Sequence, residues 1–188
     1  MKHIFLYWPP WSWKSTVSKL LSKNLELTFF DTDQEFEKQY GRISEFVWTY
    51  GIWEFRKYES QILREIIQQT PNSIVSLGWG TLLVQENRKY AELQGRIILL
   101  NGNPATLYAR IKNDTVNIRP LAASQDQAHI LLVNRIEYYQ SFEYSISIDN
   151  KNPQQITEEI IEILILTPSL VPRSPSGSAR SPVDRSIW

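Results

Sequence analysis

Short apolar runs alternate along the chain with longer segments whose apolar positions recur every three or four residues. The runs predict five buried strands, at residues 2–7, 27–30, 73–77, 96–100 and 144–148. The other segments predict helices at residues 14–24, 35–40, 43–50, 53–69, 84–92, 104–112, 126–142 and 154–166. Because strands and helices alternate, we predict an α/β fold of three layers, α/β/α, around a five-stranded parallel sheet.

The pattern also separates one domain, residues 1–166, from a C-terminal segment, residues 167–188. Within the domain, residues 113–125 are polar and irregular around Arg119-Pro120, which is typical of a lid over a site. The C-terminal segment contains four of the ten prolines and no helical period, so we predict a disordered tail. Its stretch Leu170-Val-Pro-Arg-Ser174 resembles a protease-cleavage linker added for expression.

Composition and charge narrow the classes of function. The formal net charge is zero, which argues against a nucleic-acid partner. The chain has no cysteine, and its two histidines, His3 and His129, lie on different predicted elements, so we expect no zinc site. No apolar run is long enough to span a membrane, and the first segment is a strand instead of a signal peptide. We therefore expect a cytoplasmic protein.

The segment between the first strand and the first helix has the frame of a phosphate-binding P-loop, G-x-x-x-x-G-K-[ST]. It reads Trp8-Pro-Pro-Trp-Ser-Trp-Lys-Ser15, so tryptophan stands at both glycine positions of the motif. A P-loop curls its backbone N–H groups around phosphate and needs some residues with positive φ. Tryptophan makes such backbone cost about 1–2 kcal/mol per residue, and its indole competes for the volume of the phosphate. We predict impaired nucleotide binding.

Several further segments occur in the order and at the spacing of a known family. They are Phe29-Phe-Asp-Thr-Asp33, Phe55-Arg56 with Glu59, Ser76-Leu-Gly-Trp-Gly-Thr81, Arg119-Pro-Leu121 and Arg135. Together with the P-loop frame they resemble the shikimate kinases over roughly residues 1–165. This resemblance implies a P-loop kinase fold and transfer of the ATP γ-phosphate to the 3-hydroxyl of shikimate.

The resemblance also implies roles for individual residues. Those that would act in catalysis are Lys14, Asp33 and Arg119. Those that would bind shikimate are Asp33, Arg56, Gly78, Gly80 and Arg135. Those that would surround the nucleotide are Lys14, Ser15, Thr16, Arg110 and Pro153, with Ser15 and Asp31 holding Mg²⁺. Taken singly, Asp31 and Asp33 could equally cap the helix that follows them, and each arginine could be a solvated surface group.

The departures from the family fall on its ligand-facing positions. Family glycines are replaced by Trp8, Trp11, Trp13 and Trp79, and a family glutamate is replaced by Ile52. The full aromatic set that we expect to border the cleft is Tyr7, Trp8, Trp11, Trp13, Trp48, Ile52, Trp53 and Trp79. Within it, Trp48 and Trp53 lie on helix faces, where core packing is the usual role. Confinement of tryptophan to one cleft indicates deliberate engineering instead of scattered drift.

Three functions are consistent with these residues. The first, which we favour at this point, is a kinase scaffold whose aromatic cleft binds a protein partner, a second copy of itself or a flat apolar ligand, with phosphotransfer lost or impaired. The second is a working shikimate kinase that uses ATP and Mg²⁺. The third is an inert domain in which the indoles collapse into the pocket and fill it.

Overall fold

The computed structural model describes residues 2–7, 14–103, 138 and 141–166. Its centre is a five-stranded parallel sheet in the order β2-β3-β1-β4-β5. The strands are β1 (His3–Tyr7), β2 (Phe29–Asp31), β3 (Ile74–Ser76), β4 (Gly95–Asn101) and β5 (Tyr144–Ser147). The predicted five-stranded parallel sheet is confirmed, and each strand lies within two residues of its predicted bounds.

The middle strand, β1, is buried along its whole length because strands and helices cover it on every side. Its apolar residues pair with β3 on one edge and β4 on the other, so that Leu6 lies beside both Ser76 and Ile98. This register brings the carboxyl ends of β1, β2 and β3 to one edge of the sheet. In open parallel sheets, ligands bind at that edge.

The helices form two layers over the sheet. They are α1 (Lys14–Leu25), α2 (Thr32–Tyr40), α3 (Ile43–Tyr50), α4 (Ile52–Gln69), α5 (Gln85–Gln94) and α6 (Pro153–Leu166), with a 3-10 helix at Thr81–Leu83. Helix α1 packs against α6, whereas α4 packs against α5 and the 3-10 helix. None of the described helices is long and apolar enough to cross a membrane.

The predicted helix at residues 84–92 is confirmed as α5, and the extended backbone of Val84 separates it from the 3-10 helix that precedes it. The predicted helix at 104–112 lies outside the described residues, and so does the predicted helix at 126–142 except for Tyr138, Ser141 and Phe142, of which the last two are not helical. The predicted lid at residues 113–125 and the predicted tail at residues 167–188 also lie outside the described residues.

Helices α2, α3 and α4 pack through a cluster of aromatic rings. The ring of Phe36 lies 5.0 Å from that of Phe46 and 4.9 Å from that of Phe55, both edge to face. Gly51 ends α3 and begins α4, with φ 83° and ψ 163°. Only glycine adopts this backbone readily, and it lets the chain reverse so that α4 can return along the sheet.

Candidate active site

Asp31 lies at the carboxyl end of β2 and caps α2. Its Oδ1 accepts hydrogen bonds from the backbone N–H groups of Asp33 (3.1 Å) and Gln34 (3.4 Å), and Ser76 Oγ donates to its Oδ2 at 3.1 Å. The capping interpretation therefore holds for Asp31. These bonds fix a buried carboxylate beside β3, the strand between β2 and β1, and carboxylate oxygen is a donor that suits Mg²⁺.

The loop after β3, Gly78-Trp79-Gly80, is tied to the same edge of the sheet. The backbone N–H of Gly78 donates to Thr32 Oγ1 at 2.8 Å, and that hydroxyl donates to the Ser76 carbonyl at 3.3 Å. Thr32 therefore links the first turn of α2 to this loop. We name residues 78–80 the glycine loop.

Arg56 and Glu59 form a buried ion pair on one face of α4. Arg56 Nη1 lies 2.7 Å from Glu59 Oε2, and the side chains are 14% and 3% exposed, respectively. Thr81 Oγ1 donates to the other carboxylate oxygen at 2.7 Å. Burial raises the pKa of Glu59, opposed by the positive charge of Arg56 and the Thr81 hydrogen bond, with Asp33 adding repulsion.

The glycine loop approaches these charged groups more closely than any other residue type would allow. A Cβ at Gly80 would lie 2.0 Å from Arg56 Nη2, and a Cβ at Gly78 would lie 2.6 Å from both Asp33 Oδ1 and Glu59 Oε1. Asp33, Arg56, Gly78 and Gly80, which come from three separate segments, thus form one cluster. A cation and a carboxylate face a backbone without side chains at Gly78 and Gly80, an arrangement suited to a small acid that also carries hydroxyl groups.

The remaining predicted site residues are distributed around this cluster. Lys14 and Ser15 begin α1, with Ser15 half-buried and Thr16 exposed, and Pro153 begins α6. The predicted residues that lie outside the described part of the chain are Trp8, Trp11, Trp13, Arg110, Arg119 and Arg135.

The described members of the aromatic set differ widely in exposure. Tyr7 is fully buried, and its hydroxyl donates to the Trp79 carbonyl at 2.8 Å, so the expectation that it is a surface anchor is wrong. Core packing of Trp48 and Trp53 is also wrong, since these side chains are 91% and 63% exposed. The physical reason is that Phe46 supplies the inward contacts of the short helix α3. Ile52 and Trp79 are half-buried.

Four residues without a predicted role hold the charged groups in place: Thr32, Glu59, Ser76 and Thr81. For Glu59 a signal was present, because a glutamate three residues after an arginine lies on the same helix face. The hydroxyl residues carried no comparable signal, since their partners are more than 20 positions away in the sequence.

Comparison with known proteins gives one consistent family. The family model for shikimate kinase matches residues 12–165. A shikimate kinase of Bacillus cereus (strain AH187) is 33% identical over 165 residues, which cover 86% of this chain and 98% of that protein. One from Lactococcus lactis subsp. lactis is 34% identical over 151 residues, which cover 79% of this chain and 90% of that protein.

The crystal structure of Aquifex aeolicus shikimate kinase has a TM-score of 0.73 and 26% identity, covering 88% of this chain and 97% of that one. The Acinetobacter baumannii shikimate kinase in complex with shikimate has a TM-score of 0.80 at 22% identity, covering 89% and 95%.

Proposed function

The chain belongs to the shikimate kinase family, and on that basis we propose that it transfers the γ-phosphate of ATP to the 3-hydroxyl of shikimate. The observation that carries the proposal is the cluster of Arg56, Glu59 and Asp33 against the glycine loop. A binding surface without kinase chemistry would not require a partly buried cation held by a buried carboxylate. Such a pair costs desolvation energy, which a bound anionic substrate helps to offset.

We assign Arg56 to the carboxylate of shikimate. The Glu59 carboxylate accepts a hydrogen bond from Arg56 Nη1 and so orients the planar guanidinium group, which we call the fork. Because Gly80 has no side chain, it leaves room for this group. A planar guanidinium binds a carboxylate through two parallel N–H···O bonds, whereas an ammonium group does not. Arg135, from outside the described residues, is assigned to the same carboxylate.

We assign Asp33 to the hydroxyl groups of shikimate and to removal of the proton from the reacting hydroxyl. It lies in the first turn of α2, opposite Gly78, where the helix N-terminus favours a negative charge. A general base must lie within hydrogen-bond reach of the proton that it takes, and the glycine loop keeps the wall opposite Asp33 free of side-chain bulk.

The nucleotide half of the proposal uses Lys14, Ser15, Asp31 and, over the transferring group, Arg119. Ser15 and Asp31 offer hydroxyl and carboxylate oxygens, the donors that Mg²⁺ takes in kinases while keeping several waters. When bound, MgATP supplies the phosphoryl group and neutralises its charge. Lys14 begins α1, where the helix N-terminus also attracts phosphate. We also propose a cytoplasmic location, because the proposed reaction consumes ATP.

We further propose that the tryptophans of the P-loop frame weaken this nucleotide site without abolishing it. Backbone hydrogen bonds to a charged group contribute about 1.5–3 kcal/mol each, and Trp8 and Trp13 stand where the motif requires glycine for such bonds. The acid-binding half, built from α2, α4 and the glycine loop, retains its contacts. The expected phenotype is therefore a high KM for ATP with shikimate binding retained.

A second candidate function, an aromatic surface that binds a protein, a second copy or an apolar ligand, is supported by the exposure of Trp48 and Trp53. Exposed tryptophans are frequent anchors of protein interfaces. Size-exclusion chromatography with light scattering tests the self-association form of this function. A monomer at all concentrations up to the solubility limit would exclude the second copy as the partner.

The primary proposal is tested by a coupled assay of ADP release with and without shikimate. We expect shikimate-dependent turnover, and we expect Arg56→Lys to raise the shikimate KM about 10- to 100-fold because an ammonium group cannot replace the fork. Arg64→Lys is the matched control, since Arg64 lies on the same helix but is exposed to solvent. Absence of both shikimate-dependent turnover and shikimate binding would overturn the proposal.

A further inference from the structure

We propose that Tyr7 is a positioning residue for shikimate, whose hydroxyl holds the glycine loop from the strand that precedes the P-loop frame. The inference rests on the proposed function and adds to it a residue that has no part in the family motifs described above. Tyr7 is the last residue of β1, and its hydroxyl donates to the Trp79 carbonyl at 2.8 Å. This bond joins two segments 72 residues apart.

The Tyr7 hydroxyl bonds to the glycine loop just beyond the point where pairing between β1 and β3 ends. Pairing of β1 with β3 ends at Leu6 and Ser76, and the next backbone bond, from Leu77 N–H to the Leu6 carbonyl, is 3.0 Å long. The chain after Leu77 turns away from the sheet and becomes the glycine loop. Tyr7 therefore links β1 to the glycine loop one residue beyond the last backbone pair between β1 and β3.

The three carbonyl groups of the glycine loop are held in different ways. Those of Gly78 and Gly80 accept from the backbone N–H groups of Thr81 (3.1 Å) and Leu83 (3.0 Å), which come next in the same turn. The Trp79 carbonyl instead accepts from Tyr7, on another strand. These local bonds define the shape of the turn, whereas the Tyr7 bond, together with the bond from the Gly78 N–H to Thr32, fixes its position relative to the sheet.

The position of the turn determines where its glycines meet the charged groups. The Cα of Gly80 faces the Arg56 guanidinium, and that of Gly78 faces Asp33 and Glu59, with no space for even one further carbon atom. The loop backbone therefore lies directly against these side chains, and a displacement of the loop toward them would displace Arg56 or Asp33. Tyr7 acts on shikimate only through this loop, and for that reason we describe it as a positioning residue and not as a catalytic one.

The Tyr7 ring is itself held, so the hydroxyl has a defined place. The ring lies 5.4 Å from that of Phe142, which lies 5.3 Å from that of Tyr138. The Tyr138 hydroxyl donates to the Leu82 carbonyl, in the 3-10 helix after the glycine loop. The two tyrosines thus share a ring cluster and the same chemistry, but only Tyr7 bonds to a carbonyl between the two glycines.

The test compares Tyr7→Phe with Tyr138→Phe. Each variant loses one hydroxyl that donates to a carbonyl and retains its ring, and melting followed by circular dichroism measures the loss of stability in each. Calorimetry with shikimate alone measures affinity in the parent chain and in both variants. We expect Tyr7→Phe to weaken shikimate binding about three- to tenfold, and Tyr138→Phe to leave it within twofold of the parent value.

The same loss is expected when Tyr7→Phe is made in a Trp79→Gly background, because the hydroxyl contacts the carbonyl and not the indole. Equal shikimate affinity in the parent and Tyr7→Phe, or equal losses in both tyrosine variants, would overturn the positioning role while leaving the proposed function intact. Absence of shikimate binding by the parent chain would overturn the proposed function and the role of Tyr7 together.

Discussion

At the scale of single residues, the site depends on the missing side chain of Gly80 as much as on its charged groups. Gly80 has an ordinary helical backbone, φ −94° and ψ −9°, so alanine could adopt its conformation without strain. What excludes a side chain is the Arg56 guanidinium, whose nitrogens would lie 2.0 and 2.3 Å from the added carbon. The requirement for glycine is therefore steric, and it is set by the partner residue.

Gly80→Ala should raise the shikimate KM about 10- to 150-fold, because the displaced guanidinium loses at least one charged hydrogen bond, about 1.5–3 kcal/mol. The measurement is the steady-state KM for shikimate at saturating ATP. The control is a double-mutant cycle in which the same substitution is made together with Arg56→Ala. If alanine at this position is as harmful without Arg56 as with it, the steric explanation is incorrect.

The raised pKa of Glu59 predicts how the free energy of unfolding depends on pH. Burial raises the pKa of Glu59 above its ordinary 4.5, so this residue is neutral in both the folded and unfolded states below about pH 4.5. As pH rises, the unfolded chain ionises first, and the contribution of Glu59 to stability falls until the folded-state carboxyl has also ionised. Glu59→Gln removes this dependence.

Urea unfolding of the parent and Glu59→Gln from pH 4 upward checks the prediction. The free energy of unfolding of the variant, minus that of the parent, should increase with pH above about 4.5 and then become constant. Loss of the bond to Arg56 changes the absolute value of this difference but not its slope. Glu54→Gln, on the same helix, provides the baseline for removal of one partly exposed carboxylate. A difference that is flat throughout would contradict the raised pKa.

The sequence predicted part of this residue-scale arrangement. Asp33 and Arg56 were identified because they match a motif, and the common strand edge brings them together. The burial of Tyr7 and the exposure of Trp48 were mispredicted for a different reason. The apolar pattern of β1 does not determine which group the Tyr7 side chain contacts. The apolar pattern of α3, a helix of only eight residues, does not determine which of its side chains face solvent. Those outcomes depend on contacts far apart in the sequence.

At the scale of elements, the orientation of α4 is the central feature, because this helix carries both members of the buried ion pair. Gly51 provides its start, and the backbone there lies in a region that only glycine occupies readily. The apolar periodicity predicted α3 and α4 with the correct end for each and a start within one residue. It did not predict the reversal between them, since a single glycine indicates a break without indicating its angle.

Gly51→Ala should lower the free energy of unfolding by about 1–3 kcal/mol, the cost of forcing a side chain into this backbone region. The added carbon would meet no atom within 4 Å, so the effect is backbone strain alone. We also expect a higher shikimate KM, because relief of the strain shifts the first turns of α4 and with them Arg56. Urea unfolding and steady-state kinetics measure the two effects.

Gly41→Ala is the matched control for Gly51→Ala. Gly41 has nearly the same φ, 82°, and equally open surroundings, but it ends α2 and does not begin α4. We expect a similar loss of stability with an unchanged shikimate KM. If both substitutions change the KM alike, general loosening accounts for the effect and the orientation of α4 does not.

At the scale of the whole molecule, the proposed acid-binding half and the proposed nucleotide half are separate parts of one sheet edge. The former is built from α2, α4 and the glycine loop, and the latter from the end of β1 and the start of α1. The fold class was predictable from alternation alone, because apolar runs of strand length with intervening helical periods have few stable arrangements. The effect of tryptophan in the P-loop frame depends on the volume of the indoles within one loop. The alternation of strand and helix patterns contains no information about that volume.

Replacement of Trp8 and Trp13 by glycine should tighten ATP binding at least about tenfold, the effect of regaining one charged hydrogen bond of about 1.5 kcal/mol. Calorimetry with ATP in the presence of Mg²⁺ provides the measurement, and shikimate affinity should remain at the parent value. Trp48→Ala, which removes an exposed indole from α3, is the control. Unchanged ATP affinity after both replacements would show that the indoles do not obstruct the nucleotide.

The strand order has a consequence for how the protein is made. The sheet is centred on β1, but its neighbours β3 and β4 begin only at Ile74 and Gly95. At a translation rate of roughly 5–20 residues per second, an emerging β1 waits several seconds before either neighbour exists. During that interval the apolar segment His3–Tyr7 is exposed to chaperones and to other nascent chains, so slowing the ribosome before codon 74 should increase aggregation during synthesis.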